Sequence, residues 1–130
     1  MSRPSSSQPT DVELQILGVL WESGTATVRQ VHDALSKHRE TGYSTTLKMM
    51  QVMLKKGLLQ RDESVRPQLY LATKSKALTQ EQMLDDLAQR AFHGSAMRLV
   101  MRMVSSGKLS GEELEQLKRL AEQAEGEELQ

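Results

Sequence analysis

Apolar positions recur along this chain at two spacings, and the change from one to the other divides it. From residue 10 onward they return every three or four residues, the period of a helix with one face turned inward. Leu14, Leu17, Leu20 and Trp21 define such a face over about 11–22, ended by Gly24 and followed by Thr25-Ala26 as a short extended connector. Val28, Val31, Ala34 and Leu35 define a second over about 28–38, and the turn Glu40-Thr41-Gly42 leads to a third over about 44–56. Lys55 and Lys56 suit the negative end of that helix dipole, and Gly57 suits the left-handed position just past it. The spacing then shortens. Leu58–Glu63 and Pro67–Ala72 predict two strands of a β-hairpin around the turn Ser64-Val65-Arg66. Pro67 has no N–H to donate to a ladder, so it belongs at a strand start or an edge.

Helical spacing resumes with Met83, Leu84, Leu87, Ala88, Ala91 and Phe92 on one stripe over about 79–92, broken by Gly94. Ala96 to Val104 is apolar nearly all round, which predicts a helix buried on several sides. The last helix, over about 111–124, carries Leu114, Leu117, Leu120, Ala121 and Ala124. Four helix starts have the capping-box form: Thr10 with Glu13, Thr27 with Gln30, Thr79 with Gln82, and Ser110 with Glu113.

Three helices and a hairpin, in that order, are the plan of a winged helix-turn-helix, in which the third helix packs one side on its neighbours and offers the other to a DNA major groove. At 100° per residue, with Leu47 at zero, Thr46, Met50, Met53 and Leu54 fall between about 240° and 340°. Ser44, Thr45, Lys48, Gln51, Val52 and Lys55 fall between about 40° and 160°. The second group brings hydroxyls, an amide, a methyl-bearing side chain and two ammonium groups, which suit base edges, thymine methyls and phosphates. Arg61 and Arg66 flank the hairpin tip, where a wing would meet backbone phosphates. The same face also fits an ordinary solvated helix, and the two arginines fit a surface set with Asp62 and Glu63.

Charge sharpens the division. The chain is neutral overall, yet residues 1–76 hold 11 Lys/Arg and 7 Asp/Glu, a net of +4, and residues 77–130 hold 6 and 10, a net of −4. A polyanion partner is expected for the first half only. With 38% hydrophobic and 26% charged residues, 130 residues suit a soluble globular protein. The start, Met1 to Pro9, has no apolar run after Arg3 and is expected to be a disordered leader rather than a secretory signal. No apolar run is long enough for a membrane span. Absence of cysteine excludes disulfides and thiolate metal sites and sits with a cytoplasmic location. Catalysis and cofactors are not expected. His32, His38 and His93 lack metal-ligand spacing, and they, with the diverging pairs Asp85-Asp86 and Glu112-Glu113, are assigned to solvated faces.

The stretches Tyr43-Ser-Thr-Thr-Leu47 and Leu54-Lys-Lys-Gly-Leu-Leu59 resemble the penicillinase-repressor family, which includes repressors of β-lactamase genes, methicillin-resistance genes and copper-transport operons. Glu13–Trp21, Thr25–Val31 and Leu109–Leu117 extend the similarity over about residues 10–123. The resemblance implies a homodimeric repressor of an inverted-repeat operator, mainly α with a small β-hairpin. Its winged-helix DNA-binding domain would cover residues 10–76, a helical dimerisation domain residues 77–124, and an acidic tail residues 125–130. It places Ser44, Thr45, Lys48 and Gln51 at the DNA-contacting positions of the recognition helix, Tyr43 at its start, and Arg66 and Gln68 in the wing. Leu84, Leu87, Met97, Val100, Met101, Val104, Leu114, Leu117 and Leu120 are expected to join two subunits, since some 50 residues of short helices cannot bury both faces alone. The chain departs from the family in its Met49, Met50 and Met53 and in Val52, where arginine is common. Antibiotic-responsive members are inactivated by a membrane sensor protease that cuts an Asn-Phe bond. Here no asparagine occurs, and the matching stretch reads Met101-Arg102-Met103. The alternative is a winged-helix module that binds a protein instead of DNA.

Overall fold

The computed structural model describes residues 8–128. Most of the expected leader, and the last two residues of the tail, lie outside them. The elements are α1 (Asp11–Ser23), α2 (Val28–Leu35), α3 (Tyr43–Lys55), β1 (Leu59–Asp62), β2 (Leu69–Ala72), α4 (Lys76–Ala91), α5 (Ala96–Ser105) and α6 (Gly111–Glu128). Residues up to Met83 form one compact unit and those from Leu84 a second, so the division falls within α4.

Three of the four capping boxes form. Thr10 Oγ1 accepts from the Glu13 amide at 3.2 Å while Glu13 Oε1 accepts from the Thr10 amide at 2.9 Å. Thr27 with Gln30 and Ser110 with Glu113 repeat the exchange. The fourth does not form. α4 starts earlier, at Lys76, where the Ser75 hydroxyl accepts from the Leu78 amide at 3.1 Å. Lys, Ala and Leu propagate a helix readily, so Thr79 is swept into its interior and buried, and Gln82 accepts from Lys74 Nζ instead.

The core of the first unit joins Ile16, Leu17 and Leu20 of α1, Val28, Val31 and Leu35 of α2, Met50 and Met53 of α3, Leu59 of β1 and Tyr70 of β2. Leu14 and Trp21, expected on the inner face of α1, are half-buried, and Ile16 takes the centre. Its buried arc also includes Glu13, whose carboxylate holds Lys56 Nζ at 3.0 and 2.9 Å. This ion pair fastens the start of α1 to the end of α3. Trp21 Nε1 donates to the Lys74 carbonyl at 2.9 Å and anchors the chain beyond β2.

α2 stops at Leu35 rather than 38, because the amides of Lys37 and His38 turn back to the Ala34 and Leu35 carbonyls. Gly57 takes φ +83° as its position requires, and Leu58 N–H closes back onto the Met53 carbonyl at 2.9 Å. The two strands are antiparallel, with Leu59 opposite Ala72, Arg61 opposite Tyr70, and Asp62 opposite Leu69. The loop between them is six residues, longer than the expected turn, since Pro67 and Gln68 lie outside the ladder. Ala26 completes the hairpin from the other side: its N–H donates to the Tyr70 carbonyl at 3.0 Å and its carbonyl accepts from Tyr70 N–H at 2.8 Å.

Among the described residues of the second unit, only Ala88 is a buried hydrophobic residue. α5, expected to be buried on several sides, buries none of its residues within one chain. An apolar groove between α5 and α6 is lined by Leu99, Met103, Leu109, Leu117 and Leu120. α6 continues to Glu128, past the expected end at 124. Glutamate is a good helix former, and the single Gly126 costs only about 1 kcal/mol, too little to stop the helix. No helix among the described residues is long and apolar enough to cross a membrane.

Candidate nucleic-acid interface

α3 owes its orientation to its buried side. Thr46, Met50 and Met53 are fully enclosed, while Leu47, Met49 and Leu54 are half-buried at the edges of the same packing. The buried arc therefore centres near Thr46. The direction opposite it holds Lys48 and Lys55, flanked by Ser44, Gln51, Val52 and Thr45, and all six are exposed. Tyr43, at the helix start, is 38% exposed.

A buried threonine hydroxyl must be bonded or it destabilises the fold. Thr46 Oγ1 donates to the Gly42 carbonyl at 3.4 Å and pairs with His32 Nδ1 of α2 at 3.0 Å. His32 was expected on a solvated face. It is half-buried instead, because it sits beside Val31 at the border of the α2 stripe and faces the start of α3. Its ring meets that of Tyr43 edge-on, with centroids 5.6 Å apart. Over the Tyr43 ring lies Arg29, whose guanidinium carbon is 4.3 Å from the ring centroid. Sequence reasoning passed over Arg29 and gave His32 no part in the site. The available signal was their position, one turn apart on α2, which faces the end of the turn into α3.

In the hairpin, Arg61 and Arg66 differ in availability. The Arg61 side chain is half-buried opposite Tyr70, with Nη2 3.2 Å from Glu63 and Nε enclosed without a hydrogen-bond partner. Tyr70 first, then Glu63, hold its guanidinium above the ordinary arginine value. Arg66 is exposed in the loop, and Gln68 is half-buried beside it. The Ser64 hydroxyl and amide both donate to Asp62, which pulls that carboxyl below its usual range and sets the loop. Among the described residues, Arg29, Lys48, Lys55 and Arg66 have no carboxylate within ion-pair distance. Nor do the described residues include a group of three His, Asp or Glu able to hold a metal ion.

Three helices, a hairpin with a bridging third segment, and a polar, cationic outer face on the third helix define a winged helix-turn-helix. The family model described as penicillinase repressor matches residues 9–123. The chain is 31% identical over 111 residues to the transcriptional regulator BlaI of Mycobacterium tuberculosis, covering 84% of this chain and 79% of that protein. It is 25% identical over 116 residues to a penicillinase repressor of Bacillus licheniformis, covering 89% and 91%. The chain belongs to the penicillinase-repressor family of winged-helix transcriptional regulators, which are DNA-binding repressors and not enzymes.

Proposed function

We propose that this chain represses transcription as a cytoplasmic homodimer that binds an inverted-repeat operator, each subunit lodging the outer face of α3 in a major groove. The observation that carries this reading is the face itself: Ser44, Thr45, Lys48, Gln51 and Lys55 are all exposed, directly opposite a fully buried Thr46, Met50 and Met53. Hydroxyl and amide groups at those positions suit base edges, the Val52 side chain suits thymine methyls, and the lysines suit guanine edges or phosphates. Arg66, at the hairpin loop, serves as the wing's phosphate contact. Arg61 and Gln68 shape the wing beneath it, Arg61 through its pair with Glu63. The DNA-binding part is residues 10–76, with the first turns of α4 against it, and residues 77–124 form the dimerisation part.

Dimerisation is supported by what α4 to α6 leave uncovered. Met97 is 66% exposed, Leu120 61% and Met101 60%, and Leu84, Leu87, Val100, Val104 and Leu114 are exposed as well. A lone chain would hold this apolar surface in water at about 25 cal/mol per Å². Two copies related by a two-fold axis cover it and present two recognition helices symmetrically. With no asparagine in the chain, a sensor protease specific for Asn-Phe has no bond to cut here. Selection of bound duplexes from a random-sequence pool tests the reading. Enrichment of a two-fold symmetric site is expected; retention of no duplex at low salt, or enrichment of a single unrepeated half-site, would contradict it.

A further inference from the structure

Beside the outer face of α3 stands a cation that belongs to a different helix. Arg29 is the second residue of α2 and is exposed. Its guanidinium carbon lies 4.3 Å from the centroid of Tyr43, the residue that opens α3 and immediately precedes Ser44 and Thr45. The ring is braced by His32, edge-on with interplanar angle 81°, and His32 is tethered to the fully buried Thr46 at 3.0 Å. Among the described residues no carboxylate lies within 4.0 Å of Arg29. A guanidinium over an aromatic face gains cation–π attraction and loses little conformational freedom on binding, yet keeps its N–H edge available for two parallel bonds to a phosphate. In a helix-turn-helix the helix before the recognition helix crosses the DNA backbone, so a cation in its first turn meets phosphate rather than bases.

We propose that Arg29 is a phosphate clamp and Tyr43 the platform that aims it. The inference rests on the DNA-reading role of α3 and adds a contact made by α2. Tyr43 is then a positioning residue that acts through its ring. Arg29 adds affinity for any sequence. Part of the affinity supplied by Tyr43 passes through Arg29 and vanishes when Arg29 is absent.

The test is a salt titration of binding by the full chain to a mixed-sequence duplex, read by fluorescence anisotropy, with thermal melting of each variant as a check of folding. Arg29→Ala and the neutral, longer Arg29→Gln should each lower the slope of log affinity against log salt by about 1. The wild-type advantage should therefore widen about 3.5-fold as salt falls from about 200 to about 50 mM. Tyr43→Phe, which keeps the ring, should retain more affinity than Tyr43→Leu. Tyr43→Leu should lose affinity, and should lose less when introduced into Arg29→Ala. A wild-type slope in both Arg29 variants would overturn the clamp, as would a changed sequence preference. Full additivity of Tyr43→Leu and Arg29→Ala would overturn the platform. Wild-type protein with steep salt dependence alongside unaffected Arg29 variants would remove this inference and leave the role of α3 standing, whereas wild-type protein without affinity for duplex would remove both.

Discussion

At the scale of single residues, two lysines, Lys48 in the middle of α3 and Lys56 at its C-cap, carry out opposite tasks. Lys48 projects from the centre of the outer face with no acidic partner among the described residues. Lys48→Ala should weaken operator binding by about 1–3 kcal/mol if the ammonium meets a base edge, measured as the change in Kd for the selected site; an unchanged Kd would remove it from the interface. Lys56 is turned inward and neutralises Glu13, whose side chain is 9% exposed against 30% for the lysine. Lys56→Ala leaves that carboxylate enclosed with only its capping bond. We expect a loss of about 1–3 kcal/mol in unfolding free energy, below the range for a fully enclosed pair because the lysine is partly hydrated. Chemical denaturation checks it. The sequence made Lys48 legible through its angle on the helix, but not the role of Lys56. A charged residue inside an apolar arc shows its partner only when the chain has folded, and here that partner is 43 residues away.

At the scale of elements, local signals were legible where the physics is local. Caps at Thr10, Thr27 and Ser110 and the left-handed Gly57 each depend on a handful of adjacent residues, and the structure places them as expected. Thr79 failed as a cap because Ser75, four residues earlier, offers the same chemistry followed by strong helix formers, and the competition is decided by burial. The wing shows the same limit. Period-two spacing gave the hairpin, but the missing N–H of Pro67 moved the start of β2 to Leu69 and lengthened the loop that presents Arg66. Ala26, in the extended connector, also bridges onto β2 through two bonds to Tyr70, a long-range pairing that local spacing does not show. Arg66→Ala should weaken binding to all duplexes by a similar factor and reduce the salt slope by about 1. A change in the preferred sequence, seen by comparing operator with scrambled duplex, would contradict a phosphate role.

At the scale of the molecule, the two compact units differ in how complete they are. The first closes a core from five elements, while the second leaves most of its large apolar side chains in solvent. The apolar character of Ala96–Val104 was plain in the sequence, and so was its excess over what one chain could cover; no residue of α5 is buried by the described residues of this chain. Leu117, half-buried in the α5–α6 groove, is the position at which a charge should separate subunits. Leu117→Asp should sediment as a monomer and bind operator more weakly than the wild type, and a persisting dimer would place the interface elsewhere. The most direct measurement for the molecule as a whole is amide chemical-shift mapping by NMR as operator duplex is titrated into the protein. The largest perturbations should fall on Tyr43–Lys55 and on the loop around Arg66, with Ser44, Thr45, Lys48 and Gln51 foremost. Perturbations confined to α5 and α6, or none at saturating duplex, would contradict a recognition role for the outer face of α3.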